Sequence, residues 1–469
     1  MEWQAVRSLV AIASLISSFQ ILARVYGMHV LNSNALTRVQ SVVLIAIVAV
    51  ALVGGGTAYF LWSGKTAATE SIKIGVCADL DNSQGKNTWQ AAVLAAEQVN
   101  AEGGVLGRNF TIISEDDDDE TPPNDVATAS NALVRLITVH KADYIITNAV
   151  GSNLVSPFQD ICASHKKILF TVRATLNEFT QKVLDNYPQY KYYFRVGSMN
   201  STAMSGAFVD QLITFANYTG FTKIAYLMQD APTSRQLASG LDKSLPEHGL
   251  EIVYRGWVPS ATTDFTSSLA EIEASGAQIL FPAFVSPVGI AFIKDWYDRQ
   301  SPTVVFGLLT SAQEMNFWNL TEGKCQSVSF TGRSVVAGYP LTNKTLLTRE
   351  AYLKRWGETP TSPAVSTYDA VRFILPDAIR RAGTTETESV IDTLEETNIE
   401  TSDVRHFVFT SSHDTMLEAS ASGGYSEDHL LICVFQWQEG TQVIVYPEHL
   451  MEEAGTTYKY PYWKGPWTE

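Results

Sequence analysis

The stretch that decides the fold reads IKIGVC at residues 72–77, NTWQAAVLAAEQVN at 87–100, GGVLG at 103–107 and FTIIS at 110–114. The first and last segments are short apolar runs, the pattern of buried strands. Between them, residues 87–100 carry apolar side chains three and four apart, the spacing of one helix face. The glycines at 103, 104 and 107 mark a turn. Strand, helix, turn and strand in that order form the repeating unit of a parallel sheet covered by helices.

Outward from this unit the pattern recurs. Residues 124–139 read as a helix, with Asn124 as its N-cap. Strand-like runs lie at 144–148, 168–172, 192–196, 223–228, 251–254, 278–281 and 303–307. Helical patterns fill 156–164, 202–215, 234–245, 265–275 and 287–299. More than about ten strands is too many for one open sheet, so two α/β lobes are expected. Beyond residue 340 the character changes. Helices are read at 349–356, 364–382 and 389–397, then strands at 406–410, 431–436 and 441–446, the last two joined by a hairpin signal at 437–440. The tail, YPYWKGPW at 460–467, reads as an irregular cap.

The 469 residues carry a net charge of −16 and are 45% hydrophobic. That balance fits a globular chain and gives no general electrostatic reason to bind nucleic acid. The acidic run at 115–120 reads as a solvated loop, with cation binding as the lesser alternative. Cys77, Cys162, Cys325 and Cys433 are too scattered for a CxxC metal or redox motif, and disulfides are left open.

Residues 41–62, SVVLIAIVAVALVGGGTAYFLW, contain no charge. At 1.5 Å per residue they span roughly 33 Å, about one hydrocarbon core. Arg24 and Arg38 place the N-terminal side in the cytoplasm, so everything beyond about residue 65 is expected outside. Residues 1–40 read as a leader or cytoplasmic segment, with Met28 as an alternative start, and 63–70 as a polar linker. The sequence ALTRVQ at 35–40 resembles archaeal pilin-like signal peptides. Asn-x-Ser/Thr triplets at Asn109, Asn200, Asn217, Asn319 and Asn343 suit an exported chain.

Taken in order, residues 72–76, Ala96-Glu-Gln-Val-Asn100, Gly103-Gly104, Gly107, Asp116–Asp118, Gly151-Ser152-Asn153 before Pro157, Thr367-Tyr-Asp-Ala370 and Phe435-Gln-Trp437 resemble the leucine/isoleucine/valine-binding family. These are type I periplasmic-binding-fold proteins of ABC uptake systems, and the likeness runs from about residue 71 to 450. The N-terminal helix and linker are similar to the anchors of archaeal members. The resemblance implies two Rossmann-like lobes, 71–197 plus 335–415 and 198–334 plus 416–469. It implies three hinge crossings near 196–201, 332–336 and 410–416, closure on a small-molecule ligand, ABC permease partners and no cofactor.

The cleft of such a fold lies at the carboxyl ends of the strands. Residues 149–156 follow a strand and precede a helix, so outward N–H groups and the helix dipole suit a carboxylate or other acceptor. Gly151, Ser152 and Asn153 are the candidates there, with helix capping as the bland alternative. By resemblance Thr175 adds a hydroxyl, also a capping candidate. Arg173 reads as a second anion contact or as an outward salt-bridge partner. Trp89 reads as an aromatic wall or as core packing. Phe284 aligns with an aromatic on the other lobe and carries the same two readings. Thr233 stands where amino-acid binders often place an aromatic. The acid that holds a ligand ammonium should follow 303–307, but the sequence there is Leu308-Leu309-Thr310; Glu314 is the nearest carboxylate. An amide, a peptide or another carboxylate therefore fits as well as an amino acid.

No GxSxG, HExxH or GxxxxGK pattern points to an enzyme. Ser412-His413-Asp414 are adjacent, whereas a triad converges from separated positions. The runner-up function is a sensory or regulatory receptor of the same fold. No second apolar span after residue 450 marks such a receptor, which leans the expectation towards transport.

Overall fold

The computed structural model describes residues 70–118, 125–149, 152–197, 200–285, 287–416 and 432–468, with only the backbone described at Ser152. The leader at 1–40, the expected span at 41–62 and nearly all of the linker lie outside these. Among the described residues no helix is long and apolar enough to cross a membrane.

The opening unit forms as its pattern requires. Strand β1 (Ile72–Cys77) leads through helix α1 (Ser83–Ala101) to β2 (Phe110–Glu115). Asn82 caps α1, its side chain accepting from the Gly85 N–H at 2.8 Å. Gly85 is needed there: a Cβ would sit 1.8 Å from the Asp79 carbonyl oxygen. Helix α2 (Val126–Thr138) is capped by Asp125, which accepts from the Thr128 N–H at 3.0 Å. The cap expected at Asn124 thus belongs to its neighbour. After β3 (Tyr144–Thr147) comes α3 (Ser152–Ser164), four residues longer at its start than its apolar pattern. Strands β4 (Ile168–Thr171) and β5 (Tyr193–Arg195) complete a five-stranded sheet in the order β2-β1-β3-β4-β5, all parallel.

The strands are apolar without alternation because both faces are covered. Tyr144 and Ile146 point into one core with α1, while Ile145 between them points into another with α2 and α3. The two-residue period of a strand sorts them.

The second sheet holds seven strands in the order β14-β13-β10-β9-β8-β6-β7. Helix α4 (Ser201–Thr219) leads to β6 (Lys223–Gln229), α5 (Pro232–Ser244), β7 (Glu251–Val258), β8 (Ile279–Phe284), α6 (Val288–Asp298), β9 (Val304–Leu309) and β10 (Ser329–Gly332). Strands β7, β6, β8, β9 and β10 are parallel; β13 (Cys433–Gln438) runs antiparallel to β10, and β14 (Thr441–Tyr446) antiparallel to β13. β10, reading SFTG, was invisible as an apolar run. Its serine and threonine are nonetheless buried, and Gln436 Nε2 donates to the Ser329 hydroxyl at 3.2 Å. The hairpin turns at Glu439 and Gly440, both left-handed at φ 53° and 83°, where glycine is the favoured second residue.

After β10 the chain returns to the first core. Helix α7 (Thr345–Trp356) and α8 (Ser362–Asp369), continued by a π-helical turn (Ala370–Ile374) and a last segment (Leu375–Ala382), place Tyr352, Ala364, Tyr368 and Ile374 in the same core as β1 and α1. A small antiparallel pair, β11 (Asn398–Ile399) and β12 (Phe407–Val408), follows. The chain therefore passes between the cores between Gly197 and Asn200 and at 333–334, and it re-enters the second core at Cys433, with residues 417–431 outside those described. The C-terminal tail caps the second core: Trp463 packs on Trp296 at 4.8 Å and its indole N–H donates to the Ser301 carbonyl at 2.8 Å.

Candidate functional site

In each sheet the order of strands reverses at one place. β1 has β2 on one side and β3 on the other, and β6 has β7 and β8. Connections on either side of such a point leave in opposite directions and open a crevice at the carboxyl ends of the strands. In the first sheet those ends are residues 78–82 and 148–152; in the second they are 230–233 and 285–288.

The loop after β1 is acidic and self-bonded. Asp79 Oδ1 accepts from the Asp81 N–H at 3.1 Å, and Asp116 Oδ1 accepts from Leu80 N–H at 3.3 Å and Asp118 N–H at 3.1 Å. Burial and the neighbouring carboxylates of Asp116, Asp79 and Asp81 raise the Asp118 carboxyl. Glu115 is held low by hydrogen bonds from Arg135 at 2.7 Å, helped by His140. Among the described residues no His, Cys, Asp and Glu group suits a metal ion. The four thiols are buried and free.

The buried polar atoms without a hydrogen-bond partner among the described residues include three at or just after strands β3, β6 and β9: Asn148 Oδ1, Gln229 Oε1 and Ser311 Oγ; Arg195 Nε at the end of β5 and Ser334 Oγ after β10 are two more. Such atoms cost stability unless something satisfies them, and at a crevice the natural candidate is a ligand or water. Sequence reasoning missed all three. The signal was there: a polar residue closing an apolar strand is where a parallel sheet turns functional.

On the second sheet's side, Thr310–Gln313 form a short 3-10 turn. Gln313 Nε2 donates to the Thr331 carbonyl at 3.0 Å, and Gln313 Oε1 accepts from the Ser362 hydroxyl at 2.9 Å, joining this turn to α8. Glu314 follows, half-buried, its carboxylate without a hydrogen-bond or ion-pair partner among the described residues. Burial first, then the charge of Glu358, raise its carboxyl. Glu358 itself accepts from Asn87 Nδ2 at 3.3 Å.

The expected site residues divide. Ser152 and Asn153 form the first turn of α3, so they belong to the helix rather than to a loop before it; Asn153 is exposed, and Gly151 and the Ser152 side chain lie outside the described residues. Thr175 follows the adjacent strand β4, half-buried, its carbonyl accepting from Ser201 N–H at 2.7 Å where the chain first crosses. Thr233 is half-buried in the first turn of α5. Arg173 is half-buried. Trp89 packs at 6.0 Å against Trp356 on the first core. Phe284 is 0% exposed and sits between Phe265 at 5.7 Å and Phe292 at 5.2 Å. A ring with no exposed surface cannot wall a ligand, so Phe284 is core.

Ser412, His413 and Asp414 diverge. The Ser412 hydroxyl lies 2.9 Å from Thr410 Oγ1, Asp414 accepts from Arg195 at 2.8 Å, and the buried His413 places Nδ1 3.0 Å from the Tyr193 carbonyl and Nε2 2.8 Å from Glu395. They make no proton relay. A wide depression of about 1250 Å³ lies between residues 177–184, α4, α5 and residues 410–416, and none of Asn148, Gln229 and Ser311 lines it.

The chain is similar to known binding proteins over most of its length. Leu/Ile/Val-binding protein homolog 7 of Brucella melitensis biotype 1 is 22% identical over 399 residues, 83% of this chain and 94% of that protein. The substrate binding protein LivJ from Streptococcus pneumoniae, solved with isoleucine, superposes with a TM-score of 0.65 at 16% identity, covering 80% of this chain and 100% of that one. An ABC transporter solute binding protein from R. palustris, solved with benzoate, gives 0.62 at 15% identity, covering 80% and 95%. At these identities the likeness to the solved structures shows the fold: an α/β type I periplasmic-binding architecture with parallel sheets. The model of a family described as periplasmic binding protein matches residues 71–421, three quarters of the sequence, and the chain belongs to that family of solute-binding proteins.

Proposed function

We propose that the protein is the extracytoplasmic solute-binding component of an ABC uptake system, tethered to the membrane by residues 41–62. Lobe 1 (71–197 plus 335–415) and lobe 2 (198–334 plus 416–469) close on a small polar ligand by rotating about the three passages. The observation that carries this reading is the set of unpartnered buried atoms, Asn148 Oδ1, Gln229 Oε1 and Ser311 Oγ, at strand ends of both sheets.

The ligand carries a carboxylate or another acceptor group at the amino end of α3. A helix of 13 residues beginning at Ser152 offers free N–H groups and positive partial charge, with Thr175 on the neighbouring strand end. Isoleucine and benzoate, in the two solved relatives, share only a carboxylate, which fits this end of the site. Glu314 is the natural partner for an ammonium, being half-buried and unpaired. An amino acid engages both ends; a simple carboxylate, amide or peptide terminus engages the first.

A thermal-shift screen of residues 66–469 against amino acids, amides, short peptides and carboxylates tests this. A bound ligand raises the melting temperature, by an amount equivalent to about 2.7 kcal/mol at a hundredfold excess over Kd. Stabilisation by none of these classes would remove the proposal.

A further inference from the structure

Where the chain leaves β10 for the first core, it carries a buried guanidinium. Arg333 Nε donates to Asp403 Oδ2 at 2.7 Å and Nη2 to Asp403 Oδ1 at 2.6 Å, a bidentate pair. Nη1 donates to the Ser362 carbonyl at 3.2 Å and to the Ser366 hydroxyl. Asp369 lies beside the same guanidinium, Oδ2 3.9 Å from Nη2, while its Oδ1 accepts from the N–H of Ser402 at 3.1 Å and from the Ser402 hydroxyl. All three charged residues are buried.

One guanidinium between two carboxylates leaves a surplus buried negative charge, which is costly. A proton removes it most simply. Asp403 holds the bidentate pair, so Asp369 is the carboxyl that takes the proton. Burial first, and the charge of Asp403 next, push Asp369 up to about 7. Other titratable groups feel the pair. Lys344, just before α7, and Tyr368 on α8 feel Asp369, and the Cys433 thiol of β13 feels Asp403.

The place of this trio gives it a consequence. Gly197, on the first passage, packs directly on it: a Cβ there would lie 2.3 Å from Ser366 Oγ and 2.9 Å from Arg333 Nη1. The Gly197 N–H donates to Thr415 Oγ1 at 2.9 Å, and that hydroxyl donates to the Arg195 carbonyl at 2.8 Å. The first passage is thus bonded to the strand-like segment leading to the third and packed on the guanidinium of the second. Asp369 is also the last α-helical residue before the π turn of α8.

We propose that Asp369 is a proton-sensitive element of the inter-lobe hinge: protonated, it leaves Arg333 to Asp403 alone, and deprotonated it becomes a second anionic partner for the guanidinium that anchors the middle passage. This rests on the hinge reading of the fold. Acidification across neutrality then changes how firmly the passage is held.

Hydrogen exchange of the full chain, wild type and Asp369→Asn, from pH 5.5 to 8.5 and corrected for intrinsic rates, tests it. The Ser402 amide and the amides of 333–338 change protection by about tenfold across the range in wild type, the effect of one unit of coupling. The variant gives a flat profile. Parallel profiles in both proteins, or a flat one in wild type, overturn the proposal. If Asp369→Asn does not fold, the wild-type Asp369 carboxyl is followed by ¹³C chemical shift. A midpoint near neutrality supports the proposal, and one below about 5 overturns it. Failure of the hinge reading itself would appear separately, as unchanged scattering on ligand saturation while Asp369 still titrates.

Discussion

Replacing Asn148 by leucine separates stability from binding at the centre of the candidate site. Asn148 is 2% exposed and its Oδ1 has no partner among the described residues. A buried, unsatisfied acceptor costs about 1–3 kcal/mol. Leucine has a similar size and no polar atom, so it removes the penalty and adds apolar contact with the strand ends of β3 and β4. The expected change is a gain of about 1 kcal/mol or more in the ligand-free protein. For a lobe of this size that raises Tm by about 2–4 °C. Binding changes in the opposite direction: a ligand donor that met Oδ1 now faces a methyl group, and affinity falls about tenfold or more. Urea unfolding of the free protein and calorimetric titration with the ligand from the thermal-shift screen measure both. A loss of 1 kcal/mol or more in the free protein would refute the reasoning, because it would mean that Oδ1 is satisfied within the fold. So would unchanged affinity.

Other expectations follow from the same geometry. Phe284→Ala destabilises by about 3–5 kcal/mol in urea unfolding, as a fully buried ring does, while a mild loss with abolished binding would restore the ligand-wall reading. Asp414→Ala leaves the Arg195 guanidinium buried without its carboxylate and costs about 3–5 kcal/mol by the same assay; a change within 1 kcal/mol would show that solvent reaches the pair. Asp369 binds its proton more tightly folded than unfolded, so its contribution favours the fold most at acid pH and is lost as pH rises from about 4 to about 7. Asp369→Asn removes that slope, and a pH-stability curve unchanged by the substitution would count against it. Because the Glu314 carboxyl is raised by burial and Glu358, binding of an ammonium-bearing ligand weakens on acidification earlier than an ordinary carboxylate would dictate; Glu314→Gln flattens that profile, and identical profiles would exclude Glu314 as the partner.

The sequence disclosed the fold through periodicity. Continuous apolar runs such as YIIT in β3 and ILFT in β4 read as strands covered on both faces because they are short and bounded by helical patterns, and those intervals leave parallel pairing as the consistent topology. It concealed β10, because a strand in the middle of a sheet need not be apolar throughout when a buried hydroxyl such as that of Ser329 is bonded from the neighbouring strand. Helix α3 starts four residues before the pattern read at 156–164, and Leu154 and Val155 join Phe158 and Cys162 on its buried face. The site was partly legible. Glycine and serine after β3 announced a helix N-terminus, but which aromatic rings face a cleft depends on tertiary packing, and Trp89 and Phe284 found aromatic partners that lie 267 and 8 positions away in the chain. Asn148, Gln229 and Ser311 stand out only once burial and missing partners are known. The hinge trio draws Arg333, Asp369 and Asp403 from three separate segments, and no local pattern relates them.

Small-angle scattering of residues 66–469, free and saturated with the ligand identified by thermal shift, tests the central claim most directly. The two-lobed binding account predicts a smaller radius of gyration with ligand, as the crevice between the strand ends closes. An identical radius with and without saturating ligand would contradict it.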